Sequence, residues 1–175
     1  MLPLRTATIV LLLAACPVLA QAISDPQLKA AYLINFAKLA TWPNLGPSDP
    51  ITFCTTGDDE LAAVMTAMIP GQRVNGHTLV VSQPRPESGW ASCQLLFVGR
   101  AGSGVATRPL GATPDTLLTV SDEKGFASNG GMIEFFTEGA RLRFAVNLGQ
   151  VDKSRVVLSS HLLQLARIVG DSRAR

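Results

Sequence analysis

The chain is poor in most of what marks catalysis, metal binding or nucleic-acid recognition. It has two histidines, His77 and His161, and neither has paired metal-ligand spacing around it, which argues against a zinc-type centre. Its three cysteines, Cys16, Cys54 and Cys93, form no CxxC, which excludes a thioredoxin-like redox motif. Charge of one sign is scarce: 15 Lys+Arg stand against 13 Asp+Glu, a net +2. That balance lacks the basic surplus a nucleic-acid binder needs, so no nucleic-acid partner is expected. With 47% hydrophobic residues, it is not an acidic or disordered solvating chain either. Long apolar runs are missing except at the extreme N-terminus, where the run is about half the ~20 residues of a spanning helix.

The polar motifs that remain are weak. Gly102-Ser103-Gly104 lacks the Lys-Ser/Thr ending of a phosphate loop and does not complete a dinucleotide fingerprint, so it reads as a turn. Ser103 lacks the flanking pattern of a nucleophile elbow. Asp58, Asp59 and Glu60 could pair as acids, but their place at the start of a helix explains all three as caps and dipole partners. Asp122 and Glu123 follow a strand, where α/β proteins often hold ligands. No acid, base and nucleophile set surrounds them. The residues imply no catalytic centre, metal or cofactor, and point to a binding or regulatory module.

What is present is an export signal and one domain. Residues 1–22 carry one charge, Arg5, then an apolar run from Ala7 to Ala15, then small residues to Ala22, the order of a secretory signal. Leu13-Ala14-Ala15-Cys16 is similar to a bacterial lipobox, whose cysteine would be lipidated; Pro17 and the better small-residue sites downstream favour ordinary cleavage. Removing Arg5 leaves 14 cations against 13 anions, so the exported part is nearly neutral. Residues 23–170 suit a single domain, and 171–175 read as a frayed tail. Cys54 and Cys93 each sit in an apolar run. They are either two buried thiols or, as an oxidising compartment favours, one disulfide worth ~3–4 kcal/mol on the chain-entropy model.

The expected fold is α/β: a single-domain sandwich with a mostly parallel central sheet, helices packed on it, and a C-terminal antiparallel hairpin followed by a helix. Ser24 caps a first helix that runs to about Ala40, ahead of Trp42-Pro43. It carries two apolar arcs, Leu33, Ile34 and Ala37 on one side and Leu28, Tyr32, Phe36 and Leu39 on the other. Such a helix is either sandwiched in a core or offers one side to a partner, and the second arc is the candidate partner face. Strands are expected at Ile51–Thr55, Thr78–Ser82, Cys93–Val98 and Thr116–Val120, with a helix from Asp58 to about Met68 and a stiff Pro84-Arg85-Pro86 loop. MIEFFT and ARLRFAVN flank a Glu138-Gly139 turn. That turn sets Glu134 opposite Arg143, Ile133 opposite Phe144 and Phe135 opposite Leu142. A short helical piece is expected at Gln150–Ser154, and a last helix from the Ser159 cap to about Val169, stopped by Gly170.

KAAYLINFAKLATWP (29–43), ITFCTTGDD (51–59), CQLLFVG (93–99), LLTVSDEKGFASNGGMIEFF (117–136), RLRFAVNL (141–148) and LSSHLLQLARIV (158–169) occur in order. Together this set resembles the YfiR family of periplasmic regulators. The resemblance implies a small α/β protein that restrains an inner-membrane diguanylate cyclase by binding its periplasmic part, lowering cyclic di-GMP and so controlling biofilm and motility. It also implies an outer-membrane lipoprotein that relieves the restraint. The family cysteines match Cys54 and Cys93; a second pair found in some members has no counterpart here, where Ser128 and Phe135 stand. A homodimer stays open, and the rival reading is a periplasmic small-ligand-binding protein that acts with a membrane sensor.

Overall fold

The computed structural model describes residues 25–84, 90–100 and 114–170. The leader with Cys16, the Ser24 cap, Arg85-Pro86, Gly102-Ser103-Gly104 and the tail 171–175 lie outside the described residues. In chain order come α1 (Asp25–Leu39), β1 (Ala40–Thr41), β2 (Ile51–Thr56), α2 (Asp59–Met68), β3 (Arg73–Val74), β4 (His77–Ser82), β5 (Leu95–Val98) and β6 (Leu118–Ser121). A 3-10 turn (Ala127–Asn129) then leads to β7 (Ile133–Glu138), β8 (Arg141–Asn147), α3 (Leu148–Val151), β9 (Val157–Leu158), α4 (Ser160–Leu165) and β10 (Arg167–Val169).

Eight of these strands form one sheet, in the order β10-β8-β7-β6-β5-β2-β4-β3. β4, β2, β5, β6 and β7 run parallel to one another, while β7–β8 and β3–β4 are antiparallel. The fold is therefore α/β with a mixed, mostly parallel sheet. β4-β2-β5-β6-β7 is a doubly wound order that reverses between β2 and β5. At that reversal the backbones touch: a Cβ on Gly99 would stand 2.3 Å from the Gly57 carbonyl oxygen, so only glycine fits.

β5 is buried along its whole length, as a strand covered on both faces must be. Leu95 and Phe97 enter the main core with Leu33, Phe36, Leu61 and Met65 of the two long helices. Leu96 and Val98 enter a smaller cluster on the other face, with Leu117, Trp90 and the cysteines. Cys54 and Cys93 form a disulfide there, with Cα atoms 5.9 Å apart. α2 begins as its sequence implies: Asp58 accepts from the Leu61 N–H at 2.9 Å, with Asp59 and Glu60 in the first turn.

Two expectations need correction. The hairpin turns at Gly139-Ala140, with Gly139 at φ +60°, and not at Glu138-Gly139. Ile133 faces Val146, Phe135 faces Phe144 and Phe136 faces Arg143. The pairing is slipped by two residues, which keeps each side chain on its face and so leaves the apolar pattern intact. Glu134 stands opposite Ala145, and Arg143 instead approaches Glu138 at 3.6 Å. The last helix does start at the Ser159 cap, whose hydroxyl accepts from Leu162 N–H, but it ends at Leu165. Ala166 turns extended, and Arg167–Val169 become β10, parallel to β8. The edge of β8 offers unpaired backbone groups that this β-branched run satisfies. Arg167 is held there by Glu138 at 3.2 Å and by the Phe136 ring, 4.0 Å from its guanidinium carbon. The short pieces β1, β3 and β9 carry no period long enough to read, and the small helix sits at Leu148–Val151, capped by Asn147.

Candidate functional site

α1 lies against β7 and β8 through stacked aromatic rings. Phe36 stacks on Phe135 at 5.7 Å and meets Phe144 edge-on at 5.0 Å. Tyr32 sets its edge against the same two rings and donates its hydroxyl to the Leu142 carbonyl at 3.2 Å. The candidate partner arc is thus not a free stripe. Phe36 is 2% exposed and belongs to the core, while Leu28, Tyr32 and Leu39 are half-buried.

Tyr32, Phe36 and Leu39 nevertheless share one wall of an open groove of about 330 Å³, closed on the other side by Phe144, Leu162 and Leu165. Leu28 is outside that wall. Asn35, Lys38 and His161 form a polar rim. Leu165, at the end of α4, is 60% exposed and joins Tyr32, Leu39 and Leu162 in one apolar patch. An apolar floor with a polar rim is the anatomy of a protein-binding patch. The α4 side of the groove was invisible in the sequence, because only the tertiary fold brings Leu162 and Leu165 to α1.

A second site is polar. Lys29, opposite Lys38 on α1, is buried and donates to Asp25 of the same helix and to Asp122 after β6, each at 2.8 Å. Burial pulls its ammonium pKa down, but the hydrogen bonds and charges of Asp122 and Asp25 outweigh that and leave it above the ordinary lysine value. Asp122 Oδ1 is buried with no hydrogen-bond partner among the described residues. Nearby, the Glu134 carboxylate accepts from the backbone N–H groups of Gly125 at 2.9 Å and Ala127 at 3.0 Å, which fastens the loop after β6 to β7. These groups border an open crevice of about 610 Å³.

Among the described residues, no group of three His, Cys, Asp or Glu side chains could hold a metal ion, and no helix is long and apolar enough to cross a membrane. His77 donates its Nδ1–H to the Asp49 carbonyl, 2.8 Å away, and holds the loop before β2.

A family model described as YfiR/HmsC-like matches residues 26–167, most of the chain and every element from α1 to the start of β10. The chain belongs to the YfiR/HmsC-like family. No curated protein matches it at a significant level. Within this YfiR/HmsC-like domain, α1, Phe144 of the hairpin and α4 build the groove, and all three lie in segments that carried the resemblance.

Proposed function

We propose that this protein is a periplasmic regulator that binds the periplasmic part of an inner-membrane diguanylate cyclase and restrains it, so that cyclic di-GMP falls. The groove between α1 and α4 is the docking surface. The observation that carries this reading is the exposed Leu165 beside Tyr32, Phe36 and Leu39, an apolar patch on a family member whose candidate leader directs it out of the cytoplasm. A domain outside the membrane reaches a cytoplasmic nucleotide only through a membrane partner, and it acts by binding one state of that partner better than the other. An outer-membrane lipoprotein that covers the same groove would relieve the restraint by competition. The nearly neutral charge of the exported part favours apolar contact over electrostatic steering.

The test is binding of the purified chain to the periplasmic part of the cyclase encoded in its own host. Leu165→Asp, at an exposed position, should leave the melting temperature within the small range of surface changes and weaken binding about ten-fold or more, ~1.4 kcal/mol. Undiminished binding would remove the groove from the interface.

A further inference from the structure

The crevice beside Lys29 is distinct from the groove, and two of the cations on its wall have no partner among the described residues. Among the described residues its walls carry three acids, and two of them, Asp25 and Asp122, are engaged with Lys29. The third, Glu134, is engaged with two backbone N–H groups. Of its cations, Lys29 is held by its acids and Arg167 by Glu138. Arg100 and Lys124 have no partner among the described residues.

Topology places these two on the same edge of the sheet. Arg100 lies two residues beyond the end of β5 and Lys124 three beyond the end of β6, and those strands are parallel neighbours. Both cations therefore stand outside the carboxyl edge of the sheet, where open α/β sheets receive ligands. At the reversal between β2 and β5 the backbones are in contact at Gly99 and Gly57, whereas the space before β6 and β7 is open. The Ser128 hydroxyl borders that space, and Phe136, Leu142, Ala145 and Val169 give it apolar wall. At about 610 Å³ it falls in the size range of small-molecule pockets.

We infer that this crevice binds a small organic anion, a carboxylate or phosphate ester on an apolar body, with Arg100 and Lys124 holding the charged head and Phe136 and its neighbours the body. Two exposed cations without a partner among the described residues each gain a charge-assisted contact from an anion bound in the cavity. The rest of the chain has almost no cationic surplus, so the site is local and not a basic face. The inference is independent of the groove and of the cyclase.

The experiment is a titration of the isotope-labelled exported chain, followed by amide NMR at low ionic strength. The probes are phenylacetate and phenyl phosphate, with phosphatidylglycerol vesicles as a separate arm. Saturable shifts at the amides of Arg100, Lys124, Gly125 and Ser128 with either soluble probe are expected. The Arg100→Gln/Lys124→Gln double variant should bind about ten-fold more weakly or worse, and added salt should weaken the native chain's binding. Both side chains are exposed and have no partner among the described residues, so the variant should melt as the native chain does, and the melt is run beside the titration. Absence of saturable shifts with both probes overturns the inference, as does a folded double variant that binds like the native chain. Vesicle binding that neither soluble anion displaces, with no shifts from those anions, also overturns it, in favour of a membrane surface.

Discussion

Replacing Lys29 by alanine leaves Asp122 charged, 15% exposed at its side chain and without its partner. Breaking a buried pair in this way is expected to cost about 3 kcal/mol, measured as a drop in the urea midpoint. Asp25 is largely exposed, and Asp25→Ala should cost well under about 1 kcal/mol. The pH dependence has a definite sign. The folded-state pKa of Lys29 is raised, so its contribution is fully present below the unfolded lysine value of about 10.4 and is lost as pH rises through the folded value. Stability of the native chain should therefore fall on the alkaline side of about pH 10 more steeply than that of Lys29→Met. Lys29 stands nearly opposite Lys38 on α1, and nothing local could reveal a partner 93 residues away. Cys54 and Cys93 were more legible, since two cysteines allow only one intramolecular pair. Alkylation of the folded chain without reductant should label neither, and losing the bridge should cost ~3–4 kcal/mol. Quantitative labelling of both would contradict the disulfide.

Elements with a long period were readable and elements completed by pairing were not. α1, α2 and the central strands follow from caps and apolar runs, whereas β1, β3, β9 and β10 exist because another strand edge was waiting for them. The hairpin shows the limit most clearly. An even-numbered slip preserves which side chains face α1, so the apolar pattern alone cannot choose between the two registers. Gly139, with φ at +60°, chooses, because the first central position of a primed turn needs that conformation. Cross-strand NMR contacts should join Phe135 to Phe144 and Ile133 to Val146; direct pairing of Phe135 with Leu142 would restore the other register. The same element sets what can be changed at the groove. Phe36 lies between Phe135 and Phe144, so Phe36→Asp should cost several kcal/mol by desolvating an unpaired charge, and its effect on binding would report unfolding. Leu165→Asp avoids this, since its side chain already faces water.

At the scale of the molecule, α1 and the hairpin border two surfaces with different chemistry. The apolar groove lies where α1 and α4 meet over the hairpin, and the charged crevice lies at the carboxyl edge of β5, β6 and β7. The central claim is that the groove restrains a membrane cyclase. The measurement that reaches it most directly is cyclic di-GMP in the protein's own host after deletion, then after complementation with the native chain or with Leu165→Asp, each confirmed folded by its melt. Deletion should raise the nucleotide several-fold only while the cyclase gene is present. The native chain should restore the low level and Leu165→Asp should not. Cyclic di-GMP unchanged by complete deletion, in a strain that keeps the cyclase, would contradict the regulatory function itself.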